Sequence, residues 1–283
     1  MKGEPIRVLV ATGDPADVPN FYRTVGPLLA DGKRYEVRAA GEERSITWLD
    51  LADIDVLCIP RCSTDGELRI LELAKAAKVT TWVDYDDDLL NVPESSPAFV
   101  EYVTPAVRQN ILLALAEADL VTVSTGALRE VLQPARAEGA RDVKVVRNGL
   151  HPRWPKRALF HNRSDMFAWR GSATHIEDVR VYAEAIAAGI PASATFQMLG
   201  WFAYPLALAV GKKNDNVHYT KELPINMYFR ELEAAGIAAM IVPLVDNDFN
   251  RSKSNVAQLE ALSVGALSIV PDWPEWQLPG SFR

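Results

Sequence analysis

Short apolar, β-branched runs recur along the first half of the chain, and segments with helical periodicity separate them. An uninterrupted apolar run of this kind is typical of a strand buried on both faces of a parallel sheet. Strands that alternate with helices of about 10–15 residues predict βαβ units. The predicted strands are residues 6–12, 35–39, 55–60, 79–84, 119–124 and 142–147, and the predicted helices are residues 20–30, 66–77 and 105–118.

A second α/β segment follows a break in this pattern. Asn148-Gly149 predicts a turn, and residues 151–164 combine prolines, bases and aromatics without a period. The alternation then resumes, so we predict two Rossmann-like domains, residues 1–155 and a smaller, compact one at residues 156–283. The second has predicted strands at 166–170, 195–199, 216–220, 239–243 and 267–271, and helices at 176–188, 224–236 and 255–264.

Composition narrows the class of protein. Of the 283 residues, 48% are hydrophobic and 24% charged, which is the balance of a soluble globular chain. The net charge of −7 argues against bulk electrostatic binding of nucleic acid or anionic lipid, and leaves only a local basic groove open. No apolar run approaches the ~20 residues of a membrane span, and no secretory pattern opens the sequence. Because the two cysteines are too few for a disulfide framework, we expect a cytoplasmic protein.

Candidate chemistry is expected where the strands end, because ligands of open parallel sheets bind beyond the carboxyl ends of the strands. Gly13 follows the first predicted strand, where a glycine either lets the backbone approach a ligand or simply forms a tight turn. The sequence contains neither a G-x-G-x-x-G fingerprint nor a P-loop. It therefore gives no support to a nicotinamide dinucleotide site or to a P-loop nucleotide site.

Four carboxylates crowd the end of the fourth predicted strand, at Asp84, Asp86, Asp87 and Asp88. Such a cluster repels itself unless a cation, a helix N-terminus or basic side chains offset the charge. Three interpretations stay open. The acids form a Mg²⁺ or Mn²⁺ site through Asp84, Asp86 and Asp88, one of them orients an acceptor hydroxyl or accepts its proton, or they cap helices and face solvent.

Two segments of the predicted second domain suit an anionic ligand. Arg170, Gly171, Ser172 and His175 stand where a strand leads into a helix, and a helix start offers free N–H groups to a phosphate. Arg170 would add a bidentate donor, whereas His175 alone is equally typical of a surface or capping residue. Lys253, Ser254 and Asn255 form a second polar helix start. On that helix Glu260 lies at the rim of the apolar face, either facing a cleft or facing solvent.

Taken together, these segments resemble the GT-B fold glycosyltransferases of the family-4 type, also called glycosyl transferases group 1. The likeness extends in order over nearly the whole chain. Residues 170–178 resemble a bacterial and phage-associated branch of these enzymes. The other segments that carry the likeness are residues 82–93, 118–125, 145–150 and 243–265.

The resemblance implies a fold and a reaction. It implies two facing Rossmann-like parallel-sheet domains, with the donor mainly against the second and the acceptor on the first. The reaction would be hexosyl transfer of the EC 2.4 class, from a UDP- or GDP-linked sugar to a hydroxyl acceptor, usually with retention of configuration. No bound metal or other cofactor is required in this picture, although Mg²⁺ or Mn²⁺ remains open through the acid cluster.

The resemblance also carries roles onto single residues. The signature of the family has two glutamates eight positions apart: the second falls on Glu260, implying a ribose contact, and the first falls on Ser252. Because Ser252 is not acidic, the contact to the transferred sugar stays open. The predicted catalytic residues are Lys253, Arg170 and Asp86, with Lys253 and Arg170 stabilising the leaving diphosphate. The donor-binding residues are Gly13, Gly171, Ser172, His175, Ser254, Asn255 and Glu260, and the acceptor-binding residues are Asp84, Asp87 and Asp88.

Two alternatives remain beside this prediction. One is a metal-dependent glycosyltransferase that uses Asp84, Asp86 and Asp88, with a modified phage DNA base among the conceivable acceptors. The other is a nucleotide-sugar-binding protein without catalysis, motivated by Ser252 in the place of the expected glutamate. The oligomeric state is not predicted.

Overall fold

The computed structural model describes residues 4–15, 17–40, 46–154, 156–157 and 164–282. These residues divide into two α/β units. The N-terminal unit comprises Met1–Val92, Val100–Pro152 and Ser252–Ser254, and the C-terminal unit comprises Pro93–Phe99, Arg153–Arg251 and Asn255–Arg283. The domain boundary predicted at residue 155 falls on a position outside the described residues.

The N-terminal unit contains a six-stranded parallel sheet in the order β2-β1-β3-β4-β5-β6. Each predicted strand of this half is present, and the predicted ends differ from the observed ones by up to two residues. The strands are β1 Ile6–Ala11, β2 Tyr35–Ala40, β3 Val56–Pro60, β4 Thr80–Tyr85, β5 Leu120–Val123 and β6 Lys144–Val145.

Side-chain caps begin the longer helices of this half. Thr64, Thr104 and Thr125 each accept a hydrogen bond from a backbone N–H of the following first turn, which satisfies one of the free donors of a helix start. A π-helical turn at Phe21–Val25 joins the first two helices. The helices are α1 Val18–Asn20, α2 Gly26–Ala30, α3 Trp48–Leu51, α4 Asp65–Ala76, α5 Phe99–Tyr102, α6 Pro105–Glu117 and α7 Gly126–Leu132.

The central strands of the N-terminal sheet are buried on both faces. In β3, Leu57 and Ile59 pack into one apolar cluster and Cys58, between them, packs into the cluster on the opposite face. All three side chains are inaccessible to solvent. Burying one such side chain stabilises the fold by roughly 1.5–3 kcal/mol. The continuous apolar run at residues 55–60 therefore indicated this environment correctly, including the buried Cys58.

The C-terminal unit contains a second six-stranded parallel sheet, in the order β12-β11-β10-β7-β8-β9. The sequence pattern predicted five of its strands. The sixth, β12, has only two residues and is too short to leave a pattern. The strands are β7 Met166–Gly171, β8 Thr195–Gly200, β9 Val217–Lys221, β10 Ala239–Ile241, β11 Leu267–Ile269 and β12 Ser281–Phe282.

Five described helices belong to this unit, and the sequence pattern predicted three of them. It predicted neither α9, which lacks a polar face, nor α11, which has only four residues. Gly265, predicted at the end of the last helix, has φ +78° just beyond it. The helices are α8 Ile176–Gly189, α9 Tyr204–Gly211, α10 Ile225–Ala234, α11 Asp248–Arg251 and α12 Val256–Ser263.

The strand order of each sheet fixes where a ligand is expected. In an open parallel sheet the binding crevice lies at the carboxyl ends of the strands, where the strand order reverses. That point falls between β1 and β3 in the N-terminal sheet and between β7 and β10 in the C-terminal sheet. The expectation of an α/β fold with two Rossmann-like parallel sheets is confirmed.

Two further observations concern the length of the helices and the cysteines. Across the described ranges, the longest apolar helices fall short of what is needed to cross a bilayer. Cys58 and Cys62 are both buried, and neither forms a disulfide. Burial raises the pKa of the Cys58 thiol well above its ordinary value, so this sulfur is an apolar core group rather than a reactive thiolate.

Candidate functional site

The end of β7 brings Arg170 against Glu260 of α12 in the C-terminal unit. The Nε of Arg170 lies 2.8 Å from Oε2 of Glu260, and the glutamate side chain is only 1% exposed. The hydroxyl of Tyr228 donates a hydrogen bond to the same oxygen, at 2.9 Å. Two residues predicted independently for the diphosphate and the ribose thus form one ion pair, whose carboxylate is buried and supported by Tyr228.

The buried environment of this pair affects Tyr228. Burial raises the pKa of the Tyr228 phenol well above its ordinary value, and the adjacent Glu260 carboxylate raises it further. The phenol therefore stays a neutral donor at any physiological pH. Glu260 consequently keeps its carboxylate oriented by a cation and by a hydroxyl before any ligand binds.

The turn after β7 also places His175 on a buried carboxylate. The Nδ1 of His175 lies 2.8 Å from Oδ2 of Asp178, and the two side chains are 20% and 5% exposed. The hydroxyl of Ser172 lies 2.7 Å from that of Thr174 within the same turn. Asn255, the residue before α12, is buried and its amide lies 3.3 Å from the Gln258 side chain.

Gly171 and Gly200 allow the ends of β7 and β8 to approach each other. A Cβ on Gly200 would lie 2.6 Å from the carbonyl oxygen of Gly171, and Gly200 has φ +98°. A Cβ on Gly171 would lie 3.1 Å from Cδ2 of His175. The backbone N–H of Trp201 donates to the Gly171 carbonyl at 2.8 Å. Gly171, which the sequence predicts as a donor-binding residue, is thus also a position where a side chain would crowd Trp169 and His175.

We expect Gly200→Ala to destabilise the protein, because the new methyl group meets the Gly171 carbonyl and the backbone conformation disfavours any side chain. The expected loss is about 1–3 kcal/mol in the free energy of unfolding. Urea unfolding measures it. Gly189→Ala is the matched control, since nothing lies within 4 Å of a Cβ there. An equal loss in both variants would contradict this account.

In the N-terminal unit, Asp84 is held by Arg23. The Arg23 guanidinium donates to both carboxylate oxygens, from Nε at 2.9 Å and from a terminal nitrogen at 2.7 Å. The hydroxyl of Thr122 donates to Asp84 as well. Both partners of the ion pair are at most 3% exposed. Burial raises the pKa of Asp84 above its ordinary value, and Arg23 offsets only part of this effect.

The Arg23 guanidinium extends this network to the end of β6. It donates to the Val146 carbonyl and, at 2.9 Å, to the side-chain oxygen of Asn148. The Asn148 amide donates in turn to the Ser254 hydroxyl at 2.7 Å. Asn148, which the sequence marked as a turn residue, therefore connects the buried ion pair to a predicted donor-binding residue.

Asp86 forms a second ion pair, with Arg61 directly after β3. Arg61 donates to its two oxygens from Nε at 2.5 Å and from a terminal nitrogen at 2.6 Å. Burial alone would raise the pKa of Asp86, but the Arg61 charge and hydrogen bonds outweigh it and the pKa lies below its ordinary value. Asp86 is therefore ionised and a weak base, which suits orienting a hydroxyl better than taking its proton.

Arg61 also has an unusual backbone. Its φ is +51°, in the left-handed region, and its N–H donates to the Asp84 carbonyl at 2.8 Å. A non-glycine residue in this region is uncommon and concentrates at functional sites. Arg61 stands at the point of strand-order reversal between β1 and β3, as does Gly13 after β1.

Lys253 and its neighbours belong to the N-terminal unit. The Lys253 Nζ lies 3.4 Å from Oδ1 of Asp87, and the lysine side chain is 13% exposed. The Ser252 carbonyl accepts a 2.7 Å hydrogen bond from the Thr125 hydroxyl. The predicted catalytic lysine and a predicted acceptor-binding aspartate are thus in contact, and the segment is anchored by the residue that caps α7 of the same unit.

The remaining acid of the cluster, Asp88, is buried and accepts hydrogen bonds from Asn91 Nδ2 at 2.8 Å and from Leu90 N–H at 3.2 Å. Each acid of the cluster is therefore in contact with protein donors or cations. Within the described part of the chain, no three His, Cys, Asp or Glu side chains are grouped so that they could hold a metal ion. The acceptor-binding roles of Asp84, Asp87 and Asp88 stay predictions.

Sequence reasoning missed Arg23, Arg61 and Tyr228. Arg61 had a usable signal, since it directly follows a predicted strand. Arg23 and Tyr228 lie inside helical segments, and nothing in their local sequence marks them. Only the long-range contacts with Asp84 and Glu260 give them a place in the site.

A cavity of the C-terminal unit lies apart from these residues. It has a volume of about 490 Å³ and lies beside α8 and the ends of β10 and β11. Its lining is mainly apolar and contains none of the predicted site residues. Ile186, Ile190, Val242, Ile269 and Trp273 are among its walls.

Comparison with known proteins supports the fold. No protein-family model and no curated protein matches the sequence. Among solved structures, HepE from Anabaena, in complex with UDP and glucose, is similar over 95% of this chain and 81% of its own, at 14% identity and a TM-score of 0.57. AviGT4, a glycosyltransferase involved in avilamycin A biosynthesis, is similar over 94% and 78%, at 16% identity and a TM-score of 0.53.

A third similar structure is the pneumococcal O-GlcNAc transferase GtfA in complex with UDP and GlcNAc, at 13% identity and a TM-score of 0.52 over 77% of this chain. The chain spans about two fifths of the length of GtfA and of TarM, 42% and 41%. At these identities the likeness establishes the fold alone. That fold is the GT-B fold of glycosyltransferases, as the sequence predicted.

Proposed function

We propose that the protein is a glycosyltransferase that moves a sugar from a UDP- or GDP-linked donor to a hydroxyl acceptor. The observation that carries the proposal is the arrangement at the strand-order reversal of the C-terminal sheet. There the end of β7 supplies Arg170 and the turn after it supplies His175, and Arg170 reaches the buried Glu260. A fixed cation, an oriented carboxylate and an imidazole match a ligand that combines phosphates with sugar hydroxyls.

The proposed mechanism rests on charge. When the sugar leaves, negative charge develops on the nucleotide diphosphate, and preorganised cations stabilise it. Lys253 and Arg170 take this role, with Ser172, Ser254 and Asn255 as further donors and Glu260 on the ribose. Asp86, ionised beside Arg61, orients the acceptor hydroxyl. Transfer with retention of configuration, the family-4 type and the phage-associated branch belong to this proposal through the resemblance.

A binding experiment tests whether the protein takes a nucleotide sugar. In a thermal-shift screen with UDP, GDP, UDP-glucose and GDP-mannose, we expect one nucleotide and its sugar to raise the melting temperature, because a ligand of the folded state stabilises it. NADH is the control and should leave the melting temperature unchanged. If none of the four ligands stabilises the folded protein, the proposal fails.

A turnover assay tests whether the protein transfers the sugar and whether transfer needs a metal. We expect transfer that persists in EDTA, since the proposal requires no metal. Loss of transfer in EDTA, restored by Mn²⁺, would establish the metal-dependent alternative through Asp84, Asp86 and Asp88. Binding without transfer or hydrolysis across a panel of hydroxyl acceptors would instead establish a nucleotide-sugar-binding protein. Ser252 favours that second candidate, because the resemblance implies a glutamate at this position and the buried serine has no carboxylate to contact the transferred sugar.

A cytoplasmic location belongs to the proposal as well. Neither Cys58 nor Cys62 forms a disulfide, as expected in a reducing compartment.

A further inference from the structure

Asp178, in the first turn of α8, has no role in the mechanism above and yet connects two segments of the C-terminal site. Its side chain is buried, with the residue 3% exposed. Its Oδ1 accepts hydrogen bonds from the Val245 N–H and from the Asn250 side-chain amide, both at 2.8 Å. Its Oδ2 faces Nδ1 of His175 at 2.8 Å.

These contacts settle which nitrogen of His175 carries the hydrogen. Oδ1 of Asp178 is filled by two N–H donors, and Oδ2 of an ionised carboxylate can only accept. His175 must therefore donate from Nδ1. In the neutral imidazole the other nitrogen, Nε2, is then an acceptor.

The position of the ring shows where Nε2 lies. Cδ2, the ring carbon bonded to Nε2, would be 3.1 Å from a Cβ on Gly171. The edge of the imidazole that carries Nε2 is thus on the side of Gly171, at the carboxyl end of β7, and away from Asp178. This is the point of strand-order reversal between β7 and β10.

We propose that Asp178 is a positioning residue that fixes the Nδ1–H tautomer of His175, so that Nε2 accepts a hydrogen bond from a hydroxyl of the bound nucleotide sugar. This inference rests on the proposed function and deepens it. The hydroxyl belongs either to the ribose or to the transferred sugar. Asn250 supports the arrangement, because its amide bridges Oδ1 of Asp178 and the Val245 carbonyl, at 2.8 and 2.9 Å.

Asp178→Asn separates this role from a merely structural one. The two N–H donors at Oδ1 require an oxygen there, so the amide group of the variant must face His175. That amide donates to Nδ1 and forces the hydrogen onto Nε2, with little change of shape. The same exchange of aspartate for asparagine in the catalytic triad of serine proteases produces the wrong histidine tautomer, which abolishes most activity while the geometry stays intact.

The test measures binding of UDP and of UDP-glucose by calorimetry for the wild type, His175→Ala and Asp178→Asn. We expect both variants to bind UDP-glucose about tenfold more weakly, the scale of one lost hydrogen bond. An equal loss for UDP would place the hydroxyl on the ribose, and an unchanged UDP affinity would place it on the glucose. If folded Asp178→Asn binds UDP-glucose as tightly as the wild type does, while His175→Ala binds it weakly, the proposal is wrong. The ligand would then tolerate a hydrogen on Nε2, which can only donate.

Asn214→Ala is the matched control. Asn214 is also 3% exposed and also joins loops, through hydrogen bonds to the Ala194 carbonyl and from the Asn216 N–H, but at the amino ends of β8 and β9. We expect it to lower the melting temperature as much as Asp178→Asn does, without a change in ligand affinity. An equal loss of affinity in Asn214→Ala would show that general loosening explains the effect, and would overturn the proposal.

An NMR measurement separates failure of this inference from failure of the proposed function. Long-range ¹H–¹⁵N correlations distinguish the two imidazole tautomers, and His175→Ala identifies the signals. We expect the Nδ1–H tautomer in the ligand-free wild type and the Nε2–H tautomer in Asp178→Asn. If neither UDP nor UDP-glucose binds the wild type, the proposal of a UDP-linked donor is wrong. The tautomers of His175 still test the positioning role of Asp178 in that case. The same tautomer in both proteins would overturn its positioning role.

Discussion

Lys253→Ala is expected to lower the rate of sugar transfer by about 10²–10³ while leaving the protein folded. The lysine side chain is only 13% exposed, and a cation in a poorly hydrated place interacts more strongly with charge that develops nearby. The measurement is the initial rate of transfer with the donor that stabilises the wild type, together with the melting temperature of the variant.

Lys212→Ala provides the control for this prediction. Lys212 pairs with Glu184 at 2.6 Å on an exposed surface, with side chains 56% and 74% exposed, so removing it tests loss of a lysine charge alone. We expect the rate of this variant to match the wild type. A folded Lys253→Ala protein with near-normal turnover would remove Lys253 from the mechanism, whatever the control shows.

The second large effect is expected from Arg23→Met, which leaves Asp84 buried without its cation. Removing one partner of a buried ion pair costs about 3–5 kcal/mol, because the remaining charge is desolvated and unpaired. Urea unfolding followed by tryptophan fluorescence measures the loss, since Trp82 donates to the same Thr122 hydroxyl that binds Asp84.

The loss should also depend on pH. Burial already raises the pKa of Asp84, and loss of Arg23 raises it further. An acid whose pKa is higher in the folded state than in the unfolded state stabilises the fold when protonated, and this contribution disappears as the pH rises from about 4 through the folded pKa. Arg23→Met should therefore be closer to the wild type at pH 5 than at pH 8.

Arg7→Ala is the control for the buried pair. Arg7 and Asp55 form an ion pair of similar geometry, but their side chains are 40% and 44% exposed. Exposed pairs contribute little because water solvates each charge separately. We expect unfolding of Arg7→Ala to be indistinguishable from the wild type. A similar result for Arg23→Met would mean that the Arg23–Asp84 pair does not hold the N-terminal unit together.

Residues 55–60 and 142–147 differ in how well their sequence pattern predicts the extent of a strand. The first run is apolar throughout most of its length and forms β3 as predicted, because a central parallel strand needs apolar side chains on both faces. The second run alternates with charges and forms only the two-residue β6 at the edge of the sheet. Edge strands lack this two-sided burial, so their extent is weakly encoded in local sequence.

The acid cluster shows how much of the site the sequence alone can predict. Its position at the end of β4 followed from the pattern of strands, but the choice among metal site, acceptor site and solvated acids did not. Arg23 and Arg61 offset the repulsion among the clustered carboxylates. They lie 61 and 25 residues along the chain from their partners Asp84 and Asp86. No local signal identifies such partners, since only the folded sheet brings them together.

By itself, the sequence determined two parallel-sheet α/β halves and the strand ends at which polar residues collect, because the periodicity of burial is a local property of the chain. The tertiary structure decided which of those residues meet. It joined Arg170 to Glu260, His175 to Asp178 and Lys253 to Asp87, because hydrogen bonds and ion pairs depend on distances across a sheet edge that local sequence does not record.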